Sequence, residues 1–398
     1  MRIAIVSDDY LPDSTLVHAK MLHELAVDFT KKGHEVFVIA PGKYSQSARL
    51  IKDKIDGVNV WRFRSKETRG VGKIKRAISE SLFSFNAWSA IKREVDAKPF
   101  DMCINYAPSI FFGFLVRWFK RKHNTFVYFV LRDLFPQWVI DEGMLSERSI
   151  ITKYFRFFEK INYEYADVIG LMSDANLAYF HELYPKYKKI EVLRNWADIS
   201  PQHSSISTIN IRKKHGLENK IIFFYGGNIG HAQDMSNLVR LAKNMQPYEN
   251  AHFLFVGQGD QFNFVKNEIE ALSLENTTLL PSVSQSQYKE ILTQIDIGLF
   301  SLAKSHKAHN FPGKLLGYMV QSLPILGSVN LGNDLIDFLN NKDAGIAFIN
   351  GEDDKLLEAA IDLMDNNDLR ASLGENAYKV LSEYFSVESA TEKILSKT

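Results

Sequence analysis

At 398 residues and a net charge of +1, the chain is long enough for two separately cored domains, and its overall charge argues against nucleic acid as the main partner. Its 45% hydrophobic and 24% charged residues are those of an ordinary globular protein. A single cysteine, Cys103, excludes an intramolecular disulfide framework and fits a reducing compartment.

In chain order, residues 2–7 read as a strand that begins almost at once and is followed by Asp8-Asp9, too short for a signal-peptide core. Residues 16–32 space Leu22, Leu25, Ala26 and Phe29 along one helical face, and Gly33 suits the left-handed cap that ends it. A strand at 35–40 stops at Pro41-Gly42, which makes the opening a βαβ unit and predicts a parallel sheet with right-handed crossovers. Further apolar strands are expected at 58–63, 102–105, 125–130, 168–172 and 190–193. The polar, serine-rich stretch 198–210, with Pro201, reads as a linker.

The alternation then restarts. Strands are expected at 221–225, 252–256, 277–280, 297–301 and 324–327, with helices from 234 and at 260–272, 285–294 and 313–321. The economical architecture is α/β: two Rossmann-like, doubly wound domains, 1–200 and 201–375. In such open sheets ligands bind beyond the carboxyl ends of the strands, so the site is expected in a cleft between the two.

No apolar run reaches the roughly 20 residues of a spanning helix, and the run from Ile110 to Val116 ends at Arg117. Between Arg62 and Lys122 there are 14 Lys/Arg against 5 Asp/Glu, interleaved with Phe63, Phe83, Phe85, Trp88, Trp118 and Phe119. That mixture suits an anionic lipid surface, and it equally describes a solvated basic face with its aromatics in the core. A cytoplasmic protein, peripheral on the inner face of the cytoplasmic membrane, is the expectation.

Four loops at strand ends carry candidate chemistry. Tyr225-Gly226-Gly227-Asn228-Ile229-Gly230 lets a ligand approach main chain closely ahead of a helix, although many α/β turns need glycine merely to turn. The glycines of Val256-Gly257-Gln258-Gly259-Asp260 read as structural. In His306-Lys307-Ala308-His309-Asn310-Phe311-Pro312-Gly313-Lys314, proline and glycine open a helix and Lys314 brings a cation to a diphosphate; the alternative is an exposed lysine. Leu131-Arg132-Asp133 follows a strongly apolar strand, where Arg132 could bind phosphate and Asp133 orient an acceptor hydroxyl, or the two could form an ion pair beside Trp138. The loop 7–15 and His18 lie at the first crossover, and His23 reads as a surface residue.

There is no paired-cysteine motif, His-Glu-x-x-His or Asp-x-Asp, so neither a metal site nor a cofactor is expected. Gly-x-Gly-x-x-Gly is also absent, which disfavours a nicotinamide dehydrogenase.

Over its whole length the sequence resembles glycosyltransferase family 4 of the GT-B fold, in particular the WbuB-like branch of O-antigen and capsule enzymes. The matching residues are Lys32-Gly33-His34-Glu35-Val36, Leu193-Arg194-Asn195-Trp196-Ala197-Asp198, Gly227-Asn228-Ile229-Gly230 with Gln233-Asp234, and Pro312-Gly313-Lys314-Leu315-Leu316-Gly317-Tyr318-Met319. The resemblance implies two domains facing across a cleft and a C-terminal helix, 376–398, that returns to the first domain. It implies a UDP-sugar donor, such as an N-acetylated amino or deoxyamino sugar, held by Gly227, Asn228, Val283, His309, Asn310, Phe311, Gly313, Lys314 and Leu315. It also implies an undecaprenyl-diphosphate-linked acceptor at Asp9, Thr15, His18 and Tyr106, with Asp133, Arg132 and Lys314 as the catalytic group.

The chain departs from the family pattern. His309 and Gly317 stand where the family carries two glutamates, and Asn228 and Gln233 where it carries Arg and Lys. Phosphate binding is therefore expected to shift to backbone amides, Lys314 and Arg132, without metal. A UDP-sugar epimerase on the same fold and a non-catalytic sugar-nucleotide binder are the alternatives.

Overall fold

β1 (Arg2–Val6) turns Ile3 and Ile5 to one face and Ala4 and Val6 to the other, and all four are fully buried. A strand covered on both faces belongs inside a parallel sheet flanked by helices. The computed structural model describes every residue except 13, 15, 16, 69, 70, 108, 142, 201–209 and 306–310, and at 17, 73 and 74 the main chain alone. It divides into two units, 1–197 with 387–398, and 198–386.

In unit 1 the chain continues through α1 (Val17–Lys31), β2 (Glu35–Gly42), β3 (Leu50–Ile55), β4 (Val58–Arg64), α2 (Lys73–Ser81), α3 (Phe83–Ala97) and β5 (Met102–Tyr106). It then runs through α4 (Gly113–His123), β6 (Phe126–Val130), α5 (Gln137–Asp141), α6 (Ile150–Tyr165), β7 (Val168–Leu171), α7 (Asp174–Leu183) and β8 (Ile190–Val192). The sheet order is β3-β4-β2-β1-β5-β6-β7-β8. The order reverses between β1 and β5, the place where an open sheet leaves room for a ligand. Ile3 and Ile5 pack with Leu22, Leu25 and Phe29 of α1, and Ala4 and Val6 with Phe83, Ile91 and Phe119 on the opposite face.

Unit 2 begins with α8 (Ile211–His215), β9 (Ile221–Asn228), a short 3₁₀ turn, α9 (Met235–Asn244), β10 (Ala251–Gln258), α10 (Phe262–Ala271) and β11 (Thr277–Pro281). It continues with α11 (Gln285–Leu292), β12 (Ile297–Ser301), α12 (Lys314–Val320), β13 (Ile325–Val329), α13 (Leu335–Asn340), β14 (Ile346–Ile349), α14 (Asp353–Asp365) and α15 (Asn367–Tyr384). Its parallel sheet runs β11-β10-β9-β12-β13-β14, so β9 and β12 flank the switch point.

Three elements differ from the sequence expectations. β3 pairs antiparallel with β4 across Asp56-Gly57, both at positive φ, an Asp-Gly hairpin signal that the apolar pattern hid because β3 is a polar edge strand. β14 is a further strand at the far edge of the second sheet. The helix expected over 376–398 is broken at Phe385-Ser386: α15 stays in unit 2, whereas α16 (Val387–Leu395) lies in unit 1. There Ala390 and Ile394 join the α1 core, and the Thr391 hydroxyl donates to Asp28 at 2.6 Å. Most of the expected linker, 198–210, lies outside the described residues.

His252 on β10 is buried, with Nε2 2.9 Å from the Thr278 hydroxyl, and burial lowers its pKa to about 4. An unfolded chain takes up this proton near pH 6.5, so stability is complete above that pH and is lost as pH falls toward 4. Allowing for solvent screening, the loss is about 1–2 kcal/mol. Denaturant midpoints should fall more steeply from pH 6.5 to 4.5 in wild type than in His252→Gln.

Candidate functional site

In unit 2 the chemistry gathers at the carboxyl end of β9. Lys314 and Tyr318 lie one helical turn apart on the same face of α12. The fully buried Tyr318 hydroxyl donates to the Leu299 carbonyl at 3.1 Å and accepts from the Gly226 amide at 3.3 Å, tying α12 to β12 and β9. A Cβ on Gly298 would stand 2.4 Å from the Tyr318 ring, so the absence of a side chain there makes room for this anchor.

With the helix held this way, the Lys314 ammonium lies 3.3 Å from the centre of the Tyr225 ring. Its Nζ is buried and has no hydrogen-bond partner among the described residues, and burial drives its pKa well below the usual lysine value. Lys314 is thus neither the exposed lysine nor a member of an ion pair. A ring face stabilises a cation, but leaves its N–H donors unmet. The group is a buried donor whose hydrogen-bonding capacity is unmet among the described residues.

Gly227, at φ +124°, adjoins it: a Cβ there would be 3.8 Å from Nζ. The turn itself departs from the expectation of several open amides at a helix start. Residues 226–228 are still in β9, paired with 256–258 of β10. The Gly226 amide is taken by Tyr318 and the Ile229 amide by the Gln258 carbonyl at 2.9 Å. A Cβ on Gly257 would meet the Gly227 carbonyl at 1.9 Å, so the second glycine turn permits close backbone packing.

The other donor candidates separate. Asn228 Nδ2 donates to Gln233 at 2.9 Å on the exposed rim, so the two residues standing where the family has Arg and Lys hold each other. Val283 is half-buried between β11 and α11. Gly313 is exposed beside Lys314. Phe311 is not open to a ligand: its ring packs against Phe385 at 4.6 Å and Phe338 at 6.3 Å. Leu315 is a fully buried core side chain whose amide already donates to Pro312. Apolar burial overrides the ligand role expected for both. His309 and Asn310 lie outside the described residues. At Gly317 a Cβ would be 3.2 Å from Leu292, so a glutamate there would be crowded.

In unit 1 the strand ends of β1, β5 and β6 bring Asp8, Tyr106 and Asp133 together with His18 from the start of α1. His18 stacks on Tyr106 with ring centres 5.7 Å apart, and its Nε2 is 3.7 Å from the Asp8 carboxylate. At that distance neither Asp8 Oδ1 nor His18 Nε2 has a hydrogen bond among the described residues, and both atoms are buried. Burial raises the Asp8 carboxyl above the ordinary range, against the pull of His18. Burial also pushes the Tyr106 hydroxyl up to about 12. The surrounding protein raises Asp133 too, with Arg132 and His18 opposing; its open, solvent-facing side limits that effect.

Asp9, the residue singled out from the sequence, instead accepts from the Ser14 hydroxyl. Its neighbour Asp8 is the one the sequence reading missed, since nothing local distinguishes two adjacent aspartates. Thr15 lies outside the described residues.

Arg132 also departs from its expected role as a phosphate ligand. Its guanidinium is buried, donates to the carbonyls of Leu193 at 2.5 Å and Arg194 at 3.2 Å, and lies 5.3 Å from the Trp196 ring. With both terminal nitrogens committed to main chain, Arg132 positions the β6 end, while Trp138 is exposed rather than packed beside it. His23, expected at the surface, is buried between the Tyr10 hydroxyl at 2.7 Å and the Asp56 carboxylate at 2.9 Å. Among the described residues no cluster of three His, Cys, Asp or Glu has metal-binding geometry.

Comparison with known proteins follows the same division. A family model described as glycosyl transferase 4-like domain matches residues 18–196, and one described as glycosyl transferases group 1 matches residues 207–380. The chain is 23% identical over 328 residues to the Escherichia coli (strain K12) protein WcaI, named for a colanic acid biosynthesis glycosyl transferase, covering 79% of this chain and 80% of that protein. It is 24% identical over 235 residues to the N-acetyl-alpha-D-glucosaminyl L-malate synthase of Bacillus anthracis, covering 59% of this chain and 58% of that one. The crystal structure of Anabaena Alr3699/HepE in complex with UDP superposes with a TM-score of 0.69 at 14% identity, covering 100% of this chain and 99% of that chain.

Proposed function

The chain belongs to family 4 of the GT-B glycosyltransferases, and from that membership we propose that it moves an N-acetylated amino or deoxyamino sugar from a UDP-sugar to an undecaprenyl-diphosphate-linked acceptor in surface-polysaccharide synthesis, of O-antigen or capsule type. The observation that carries the reading is the buried Lys314 ammonium beside Gly227, without a hydrogen-bond partner among the described residues. A leaving diphosphate is the anion such a donor suits, and pre-positioned donors of this kind are worth about 3–4 kcal/mol in a dry site. The UDP complex of HepE supports a nucleotide-sugar donor, the malate synthase relative an N-acetylated sugar, and WcaI a polysaccharide pathway.

In this reading unit 2 holds the donor and unit 1 the acceptor, with Asp133 taking the acceptor hydroxyl proton and His18 and Asp8 steering it. Lys314 supplies the positive charge without a metal ion, in keeping with a sequence that has no Asp-x-Asp. The protein works on the inner face of the cytoplasmic membrane; among the described residues no helix is long and apolar enough to cross one.

The test is UDP release from a panel of UDP-sugars with a short-chain lipid-diphosphate acceptor, with the product identified by mass spectrometry. UDP should form only when acceptor is present. Conversion of UDP-sugar without acceptor would show an epimerase instead, and UDP binding without release a non-catalytic binder. Asp133→Asn should lower kcat by about 10²–10³ while leaving the donor KM unchanged. Wild-type kcat should decline on the acid side at a pH above that of an ordinary aspartate, because the raised Asp133 carboxyl must be ionised to act as base.

A further inference from the structure

Unit 1 carries a surface that none of this chemistry uses. α6 opens with Ile150, 85% exposed, and Ile151, 55% exposed, and Phe157 further along it is 53% exposed. On α3, Phe85 is also 53% exposed. These side chains are not scattered. The Phe114 ring of α4 lies between them, 5.7 Å from Phe85 and 6.0 Å from Phe157, and Tyr154 of α6 is hydrogen-bonded to Ser81 at the end of α2. Phe85, Phe114 and Phe157 of three helices therefore form one apolar cluster, larger than the isolated exposed residues common on soluble proteins, and Ile150 and Ile151 stand exposed at the start of the same α6.

Its charge surroundings are one-sided. α2, α3 and α4 together hold nine Lys/Arg against three Asp/Glu, in a chain whose net charge is +1. Lys92 Nζ lies 4.6 Å above the half-exposed Trp88 ring and Lys122 Nζ 6.0 Å from Trp118, so cations sit beside aromatic rings at the margin. Phe63, Phe83 and Phe119 of the basic segment are fully buried, so they cannot serve a surface.

We propose that this face docks on an anionic bilayer, with Ile150, Ile151, Phe157 and Phe85 entering the interface and the cations of α2, α3 and α4 meeting the headgroups. The proposal rests on the peripheral-membrane part of the reading above and changes its anchor: the apolar half comes largely from α6, outside the basic segment 62–122. Charge complementarity selects the occupant, because an apolar face with a cationic margin matches a negatively charged plane carrying hydrocarbon just beneath it.

Full-length protein should co-sediment with phosphatidylcholine–phosphatidylglycerol vesicles (3:1) and at least tenfold less with pure phosphatidylcholine. The double variant Ile150→Glu/Phe157→Glu should lose at least tenfold in binding to the anionic vesicles. Both positions are exposed, so its thermal melt by circular dichroism and its affinity for UDP should match wild type. Absence of wild-type binding, or undiminished binding by the variant, would overturn the proposal. So would a variant that only converts a dimer to monomers on gel filtration with vesicle binding unchanged, because the face would then be a contact between copies. Loss of UDP binding by wild type with vesicle docking intact would defeat the donor reading and leave the docking surface standing.

Discussion

Lys314→Met should lower kcat/KM by about 10²–10³ and at the same time make the ligand-free protein more stable. The two effects share one cause. The Lys314 ammonium is buried over the Tyr225 ring without a hydrogen-bond acceptor among the described residues, which destabilises the free protein by the cost of an unmet buried donor, roughly 1–3 kcal/mol. A methionine of similar length fills the same space without that cost. In the donor complex the diphosphate supplies the missing acceptor, so the interaction grows as negative charge develops on the leaving group.

Proton linkage gives a second readout. Burial holds the Lys314 pKa well below its ordinary value, so between the folded value and about 10.5 the unfolded chain binds the extra proton. Stability of wild type therefore rises with pH through that window, and the advantage of Lys314→Met shrinks. UDP binding should raise the Lys314 pKa back toward its ordinary value, read by calorimetry as proton uptake within that pH window in buffers of different ionisation heat. Unchanged turnover and UDP affinity in Lys314→Met would remove Lys314 from the donor site.

Glu159→Ala should destabilise the protein by about 3–5 kcal/mol, read as a fall in denaturant midpoint with an unchanged slope. Glu159 of α6 is buried, and its carboxylate accepts from Arg156 at 2.9 Å, from the Tyr163 hydroxyl at 3.0 Å and from the Tyr184 hydroxyl at 2.9 Å. Truncation leaves a largely buried guanidinium and two phenols without their acceptor. Burial raises the Glu159 pKa even against the pull of Arg156, which means that pairing does not fully offset desolvation. The double variant Arg156→Met/Glu159→Leu should accordingly recover part of the loss, because it removes the stranded guanidinium, while the Tyr163 and Tyr184 hydroxyls still lack their acceptor. Little or no loss in Glu159→Ala would show that this network is dispensable.

Local pattern was enough for the parallel strands of both sheets other than β14, since an apolar run such as Ile3 to Val6 or Phe223 to Tyr225 suits a sheet covered on both faces. It also pointed to the Pro312-Gly313-Lys314 helix start and to the strand ends where Tyr106 and Asp133 stand. The polar hairpin strand β3 escaped because apolar periodicity carries no information about an edge exposed to water, although Asp56-Gly57 marked its turn.

What each candidate side chain is free to do was decided by tertiary structure alone. Arg132 and Lys314 look equally suited to a phosphate in the sequence. Folding gives the first two carbonyl partners 61 and 62 residues away, leaving its buried Nε alone unmet, and gives the second, among the described residues, the face of an aromatic ring and no acceptor. Phe311 is likewise claimed by Phe338 and Phe385, and Asp8 rather than Asp9 faces His18. Residue type sets how many hydrogen bonds a group can make, but which remain unmet depends on neighbours that arrive from distant parts of the chain, and only an unmet donor is available to a ligand.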